Sequence, residues 1–520
     1  MKVADKLTKN TLFNVGGYSW GLLVSLGLTP YIISRLGIQY YGVWAIMGVV
    51  INYFSLLDIP SVGSSFVKYI AEFQAKKEFK SINAIIGLGL VYYFIFWMII
   101  SVVVFIFKHQ IVGFFKMPVS LGSDIYFVLF GILTVTLIRG TFSVFRSVLL
   151  GLQRMDMTNM ISIGTSLFLI AGTIIALEGG YGIKGLTINA IVVACLTVIL
   201  QTAFALSLLS DKKLSSFLFS KKLFNKTFAF GVKIQIARFA EITNLQVDKI
   251  LLGHFISMGS VTFYELGSKI ANLCRNIPNQ LLPAILPASS ELDAQGKDSQ
   301  LESLYFRGTK YISFIALPIA FFVWQSSPQL MLIWMGKTGF ETAVLAIRWL
   351  VFAYLIQLLV SMGRLIARGM GAPQYEMKSS IVLSILNILF SILLIIKFGF
   401  IGALIGTFLA AGIASAYFLL QFHNFSKWSF KKLALHSFMP SLIVSIICAG
   451  VIFILDVVAV GCTGIRIDSR FSASIYTFAN LALFSALYLY AAFKYNIIDN
   501  YDKVIITSAL KLIFKRKSLK

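Results

Sequence analysis

The sequence is short of charge. Asp, Glu, Lys and Arg make up only 13% of its 520 residues, whereas 58% are apolar and the mean hydropathy is +0.85. A soluble protein carries roughly a quarter of its residues as charges, and a soluble core cannot hide this much apolar surface. The composition excludes a soluble globular protein and predicts that lipid is the solvent for most of the chain.

Cysteine and histidine are also scarce. Three of the four cysteines lie inside apolar runs and one lies in a short loop: Cys195, Cys274, Cys448 and Cys462. There is no CxxC pair and the four histidines are scattered, so we expect neither a disulfide framework nor a metal site. No Walker motif, GxSxG or HExxH stands in a usable context. We therefore expect no catalytic residue, no cofactor and no enzyme activity.

Acidic residues are outnumbered by basic ones, 21 against 45, which gives a net charge of +24. Most Lys and Arg stand in short segments between apolar runs, which is typical of basic residues kept on the cytoplasmic side of a membrane. The basic tail, 494–520, is interpreted as a segment that contacts lipid headgroups, so no nucleic acid is expected as a partner. The first apolar run, to about Leu36, has no small-residue cleavage site and predicts an uncleaved helix.

Hydropathy predicts an all-α polytopic membrane protein of about fourteen transmembrane helices. Roughly 26 basic residues fall in one set of alternate loops and roughly 7 in the other, which predicts that both termini are cytoplasmic. The predicted spans are 12–36, 41–70, 83–107, 124–149, 159–177, 185–209, 227–256, 260–288, 307–327, 341–369, 376–396, 401–422, 435–456 and 471–493.

The chain repeats itself after about 217 residues. Arg146–Gly151 matches Arg364–Gly369, and Tyr181–Leu186 matches Phe398–Ala403. The shift contains six helices, an even number, so we expect two parallel halves with the substrate between them and alternating access by rocking. The predicted domains are a six-helix bundle at 1–210, a second at 211–424, two further helices at 425–493, and the cytoplasmic tail at 494–520.

Charged side chains recur inside the predicted helices, where each is costly unless it faces a cavity or a partner. Helix 7 carries such charges within one arc, and in helix 8 Glu265 and Lys269 form an i,i+4 pair in the favourable order. The predicted substrate-binding cations are Arg35, Arg139, Arg238, Lys249, Lys269, Arg275 and Arg364. The predicted ion-coupling acids are Asp58, Glu241, Asp248 and Glu265.

Two other interpretations stay open for these charges. Arg364 lies near a cytoplasmic helix end and Arg35 near an outer one, from which long side chains can reach headgroups. The charges of helices 7 and 8 could instead form a salt-bridge network that holds the helices together. Because the cations outnumber the acids, we expect an anionic substrate, and arginine can hold a phosphate through two hydrogen bonds.

Four segments resemble one family: Thr11–Ile46, LLGLQRMDMTNMIS at Leu149–Ser162, and the two glycine-rich turns YGIKG and FGFIG. They resemble the polysaccharide-biosynthesis branch of the multidrug/oligosaccharidyl-lipid/polysaccharide exporter superfamily, which includes the O-antigen flippases. The resemblance implies translocation of an undecaprenyl-pyrophosphate-linked oligosaccharide, such as an O-antigen unit, from the inner to the outer leaflet of the bacterial inner membrane. It also implies coupling to an ion gradient, of H⁺ or Na⁺.

Three alternative functions remain. The two extra C-terminal helices resemble those of lipid II flippases, so that substrate stays open. A cation-coupled multidrug exporter often has an acid in helix 1, but this sequence has none between Asp5 and Asp58. A membrane glycan polymerase usually needs a large outward loop, and the longest here are 108–123 and 456–470. The expected partners are the lipid-linked glycan, membrane lipids, the coupling ion and other glycan-assembly proteins.

Overall fold

A computed structural model describes residues 3–56, 62–117, 121–209, 243–279, 282, 285–463, 468–499 and 502. These residues form helices and connections, without a β-strand among them. Nine of the described helices are long and apolar enough to cross a membrane. The predicted all-α polytopic architecture is confirmed, and the protein is a multi-pass membrane protein.

The helices are numbered in chain order. They are α1 Val3–Leu36, α2 Ile38–Leu56, α3 Val62–Ala75, α4 Phe79–Ile106, α5 Lys108–Phe114, α6 Asp124–Thr141, α7 Ser143–Gly151, α8 Met155–Glu178, α9 Gly182–Leu208, α10 243–255, α11 Met258–Asn279, α12 Ile285–Ala294, α13 Asp298–Gln325, α14 Ser327–Met335, α15 Glu341–Leu359, α16 Ser361–Gly369, α17 Gln374–Ser426, α18 Phe430–Lys432, α19 Met439–Thr463 and α20 Arg470–Lys494. A π-helical turn, Leu433–Phe438, joins α18 to α19.

The spanning helices are apolar on every face because they meet protein on one side and lipid on the other. In α4, Ile85 and Val104 are fully buried, whereas Ile99 and Phe105 are more than half exposed. A helix with apolar residues all round is typical of a membrane span, since water would penalise its outer face. The exposed apolar side chains of α4 therefore mark a lipid-facing surface.

Two spans are split at corresponding positions of the two halves. Helix α6 gives way to α7 after Phe142, and α15 gives way to α16 after Val360. Helices α7 and α16 are each nine residues long and end with the motifs matched by the sequence repeat. In the first half α7 packs on α3, and in the second α16 packs on α12. The repeat seen in the sequence therefore recurs in the arrangement of helices.

The two glycine-rich turns also adopt one conformation. Gly182 has φ 54° and Gly399 has φ 57°, in the left-handed region that favours glycine. The backbone of α17 is not helical at Gly399, and the chain turns back there. The close approach of Gly402 to the backbone of Leu394 shows this turn, since a side chain at Gly402 would collide with it. Residues eight apart in a straight helix lie about 12 Å from each other. Helix α17 is thus two spans, as the sequence predicts.

The chain divides into two compact units. The first unit comprises Met1–Glu265 and Ser391–Ala403, and the second comprises Leu266–Phe390 and Leu404–Lys520. These bounds differ from those of the predicted domains, because α11 and α17 each contribute to both units. The division at 210 and 424 stays a prediction, and 210–242 lies outside the described residues.

Candidate functional site

The first unit holds a fully buried carboxylate, Asp248 on α10. The Tyr264 hydroxyl donates to its Oδ2 at 2.6 Å, and the Ser391 hydroxyl donates to its Oδ1 at 2.7 Å. Burying a carboxylate is costly unless its oxygens are hydrogen-bonded. These two donors are neutral hydroxyl groups.

The next residue of α10 forms an ion pair in the same unit. Lys249 Nζ lies 2.5 Å from Glu265 Oε2 and donates a hydrogen bond to Gln246 Oε1 at 3.0 Å. Both charged side chains are mostly buried. With Asp248, the three side chains carry one positive and two negative charges. Lys249 is therefore matched by Glu265, and its predicted role in substrate binding stays a prediction.

Arg139 is a mid-span cation of the first unit. It lies about 22 Å along the helix from the start of α6 and about 18 Å from the end of α7, near the middle of its span. The residues that the structure describes provide no hydrogen bond or ion pair to its guanidinium. An arginine at that depth is expensive to leave unsolvated, which favours a hydrated cavity around it.

Arg35 has a different environment at the end of α1. Its Nη2 lies 2.5 Å from Glu178 Oε1 at the end of α8, and both side chains are about half exposed. Nearby along the chain, Lys184 Nζ pairs with Asp124 Oδ1 at 2.7 Å. Both ion pairs join helix ends at one rim of the unit. The structure does not bring Arg35 together with Arg139 in the interior, and its predicted role in substrate binding stays a prediction.

The second unit contains a partly buried arginine on α11, Arg275. The guanidinium carbon of Arg275 lies 5.3 Å from the centroid of the Tyr354 ring on α15, a cation–π contact. Among the described residues its Nε has no hydrogen-bond acceptor, although the atom is buried, and Asn272 Oδ1 one turn earlier also lacks a donor. Buried polar atoms of this kind ordinarily have partners. Arg275 and Asn272 can therefore bind a polar ligand without losing an existing hydrogen bond.

Arg275 reaches Tyr354 because α11 and α15 pack closely. Gly267 lies against Ala346, eight residues before each member of the Arg275–Tyr354 pair. Two contacts with equal spacing on both helices mean that α11 and α15 run in the same direction. Two parallel helices that follow each other in a membrane need a span of the opposite direction between them, so that the chain returns to the first side. Helix α13 is that span.

Gly267→Val is expected to lower thermal stability and abundance, because an added side chain would meet the Ala346 backbone carbonyl carbon at 3.1 Å. Overpacking typically costs about 1–3 kcal/mol. The check is the melting temperature in detergent, with Gly412→Val as control because nothing lies within 4 Å of a side chain added there. Equal losses in the two variants would contradict the close packing of α11 on α15.

Arg364 on α16 also points into the second unit. Its Nη2 donates to Ser379 Oγ at 3.4 Å, and its guanidinium carbon lies 5.7 Å from the centroid of the Phe418 ring. Ser379 and Phe418 are both fully buried, and Arg364 Nε has no acceptor among the described residues. The interpretation that Arg364 reaches for headgroups therefore fails. Arg368, one turn on, does extend outwards, to an ion pair with Glu376 at 2.6 Å.

The comparisons with known proteins identify the family. Residues 32–344 match the model of a family described as "Polysaccharide biosynthesis protein". The chain belongs to this family. The resemblance found in the sequence is thereby confirmed for more than half of the chain.

Two curated relatives are archaeal. An uncharacterised membrane protein of Methanocaldococcus jannaschii is 25% identical over 300 residues, 56% of this chain and 55% of the relative. A probable low-salt glycan biosynthesis flippase, Agl15 of Haloferax volcanii, is 23% identical over 273 residues, 52% of this chain and 56% of the relative. The chain spans about half the length of the curated relatives it matches.

Solved structures share the fold at low sequence identity. The lipid II flippase MurJ in an inward closed conformation has a TM-score of 0.72 at 15% identity, covering 94% of this chain and 99% of that one. An inward-facing multidrug resistance MATE family transporter of the MOP superfamily has a TM-score of 0.66 at 15% identity, covering 80% and 94%. Both solved structures therefore share the fold of this chain.

Several predicted site residues cannot be placed. Asp58, Arg238 and Glu241 lie outside the described residues. Lys269 lies on α11, one turn after Glu265. The roles proposed for these four residues stay predictions, as does the salt-bridge interpretation for Arg238 and Glu241.

Sequence reasoning missed the hydroxyl partners of Asp248. Tyr264 is one of 21 tyrosines, and Ser391 lies 143 residues away in α17. Neither carries a charge at bilayer depth, which is the signal that selected the other candidates. The position of Ser391 inside a predicted span is a possible signal, but it is a weak one. Membrane helices contain many serines that donate a hydrogen bond only to the backbone of their own helix, as Ser445 does to the Ser441 carbonyl oxygen.

A charge network between α13 and the segment after α20 was missed as well. Arg307 and Lys310 of α13 pair with Asp499 and Asp502, which follow α20, and the shortest contact is Lys310 Nζ to Asp502 Oδ2 at 2.6 Å. Burial alone would raise the pKa of Asp499, but the Asp502 backbone N–H and the Lys310 ammonium outweigh it, so this pKa lies below its ordinary value. These cations are matched locally and hold the segment after α20 against α13.

Proposed function

We propose that this protein moves an undecaprenyl-pyrophosphate-linked oligosaccharide from the inner to the outer leaflet of the bacterial inner membrane. The observation that carries the proposal is the set of buried or mid-span guanidinium groups without an acidic partner among the described residues: Arg139, Arg275 and Arg364. Arginine prefers phosphate and carboxylate oxygens, and a site of low dielectric strengthens that contact. Cations of this kind in each unit favour a substrate that carries an anionic group such as a pyrophosphate.

The relatives support the chemical class of the substrate. The family is named for polysaccharide biosynthesis, and the Haloferax relative is named a probable glycan biosynthesis flippase. We propose that the sugar travels with its lipid carrier and that the two halves alternate in opening to either side. Both termini are proposed to lie in the cytoplasm, because the basic residues concentrate in the corresponding loops.

Asp248 is our candidate for coupling transport to a cation gradient. Taking up H⁺ would neutralise this fully buried carboxylate and remove the free-energy cost of burying its negative charge. Glu265 is less suitable, because it already pairs with Lys249. Uptake of a cation at Asp248 would favour one conformation over the other, which is what coupling requires.

Lipid II is a second candidate substrate. The fold of the lipid II flippase covers 94% of this chain, whereas that of the MATE family transporter covers 80%. Helices α19 and α20 follow the repeated halves, as the sequence predicts for a fourteen-helix flippase. A multidrug exporter for cations is less compatible with the site, because unmatched arginines repel a cationic drug.

Transport can be measured with the full-length protein in proteoliposomes loaded with a fluorescent lipid-linked oligosaccharide. We expect the fraction accessible to an impermeant lectin to rise when the protein is present, and to stay constant in protein-free vesicles. Lipid II and the cationic dye ethidium serve as the alternative substrates. Transport of ethidium without either lipid-linked glycan would contradict the proposal and favour a drug exporter.

A further inference from the structure

Two adjoining cavities of the second unit meet at a single arginine. A polar pocket of ≈ 630 Å³ lies between α14 and α15 and includes Lys337, Thr338 and Thr342. An apolar groove of ≈ 750 Å³ is bounded by α13, α15, α17 and α19, with Phe321, Phe352 and Phe408 in its wall. Leu345 and Arg348 line both. One molecule with a polar end and an apolar end could occupy them together.

Arg348 has no acidic partner among the described residues. Its Nε donates to Ser327 Oγ at 3.2 Å, and its guanidinium carbon lies 5.7 Å from the centroid of the Trp324 ring. These contacts fix the side chain but leave its charge unmatched. The polar pocket also contains Lys337 and Glu341, so with Arg348 its three charged side chains carry a net charge of +1. This charge complements an anionic headgroup.

The groove is suited to a hydrocarbon chain. Among its described lining residues, Arg348 is the one charged side chain, and the rest are aliphatic or aromatic. Water in such a groove would find few hydrogen-bond partners, so replacing it with an acyl chain is favourable. The groove lies between membrane-spanning helices, where lipid chains are the surrounding solvent.

The depth of Arg348 indicates which amphiphile fits. Arg348 is about 10 Å along α15 from its first residue, Glu341. Trp324 in the last turn of α13 and Trp349 in α15 lie beside it, and tryptophan concentrates at the headgroup level of a bilayer. A phosphate on Arg348 is therefore at the depth of a lipid that stays in its leaflet, away from the mid-span depth of Arg139.

We propose that the polar pocket and the apolar groove together bind one anionic phospholipid, with its phosphate on Arg348 and an acyl chain in the groove. The phosphate oxygens accept hydrogen bonds from the remaining N–H groups of the guanidinium, and Lys337 adds positive charge at the rim. The bound lipid fills the space between α19 and the helices of the repeated half. This site is separate from Arg275 and Arg364 and does not depend on the transported substrate.

The proposal can be tested by native mass spectrometry of the delipidated full-length protein with phosphatidylglycerol added back. We expect Arg348→Gln to bind this lipid at least about tenfold more weakly, the loss expected for a charge-assisted hydrogen bond. Arg348 has no acid to leave unpaired, so the variant should melt like the native protein. Ala434→Phe, which fills the groove, should weaken binding without changing any charge. Arg154→Gln is the control, because that arginine is paired with Asp156 in the first unit.

Two results would overturn the site. Unchanged phosphatidylglycerol binding in Arg348→Gln would show that the arginine does not hold the phosphate. Displacement of phosphatidylglycerol by undecaprenyl phosphate, with the same dependence on Arg348, would assign the cavities to the transported lipid carrier. Transport of the glycan can be measured on the same variants, so a failure of this lipid site is distinguishable from a failure of the proposed function.

Discussion

Asp248→Asn is expected to stop ion-driven transport while the protein stays folded. Asparagine has nearly the size of aspartate, and the hydroxyls of Tyr264 and Ser391 can donate to its oxygen or accept from its amide nitrogen. The negative charge that would attract H⁺ or Na⁺ is lost. The rate of transport under an imposed gradient should therefore fall to the rate measured without a gradient.

The measurement is glycan transport in proteoliposomes with an imposed pH or sodium gradient. Asp456→Asn is the matched control, because Asp456 also accepts hydrogen bonds from neutral groups, Gln325, Tyr476 and Asn480. This control should keep its gradient dependence. If Asp248→Asn responds to the gradient like the native protein, then Asp248 does not couple, and its hydroxyl partners serve only to hold α10 and α11 to α17.

Arg275→Gln is expected to weaken binding of the lipid-linked glycan by about 10- to 150-fold. This range corresponds to the loss of one charged hydrogen bond, about 1.5–3 kcal/mol. The guanidinium lies over Tyr354 and has no acidic partner among the described residues, so its removal leaves no buried carboxylate unpaired. The variant should therefore reach the membrane in normal amounts. Affinity and KM should change more than the maximal rate, because the contact is made in the bound state.

Arg368→Gln provides the matched control for this prediction. Arg368 forms an exposed ion pair with Glu376, and such pairs contribute little to stability. Combining Arg275→Gln with Arg364→Gln should weaken binding further, since both guanidinium groups have a buried Nε without an acceptor. Native affinity in Arg275→Gln, or an equal loss in Arg368→Gln, would leave Arg275 as a packing residue.

Part of the candidate site could be predicted from the sequence. Charge inside an apolar run is rare and costly, so Arg139, Arg275, Arg364 and Asp248 stand out without a structure. The sequence also predicts the split of the chain at its glycine turns, because only glycine adopts the left-handed conformation at Gly182 and Gly399 without strain. These predictions depend on local chemistry alone.

The partners of those charges could not be predicted. Arg364 and Arg368 stand one turn apart at a helix end, yet one contacts buried Ser379 and Phe418 and the other an exposed Glu376. Helical periodicity gives the direction of a side chain relative to its own helix only. Which direction faces protein depends on where α17 packs, and that packing follows from many weak contacts spread along the chain.

The sequence by itself determined that this is a multi-pass helical membrane protein with an internal repeat and an excess of cations. Lipid imposes this result, because it requires long apolar helices and makes every buried charge conspicuous. Only the tertiary structure decided which charges are matched. Lys249 and Glu265 form an ion pair, and Asp248 accepts hydrogen bonds from two hydroxyls. The buried Nε atoms of Arg275 and Arg364 have no acceptor among the described residues. An ion pair extends over a few ångströms between residues that can lie far apart in the chain, so its formation depends on packing.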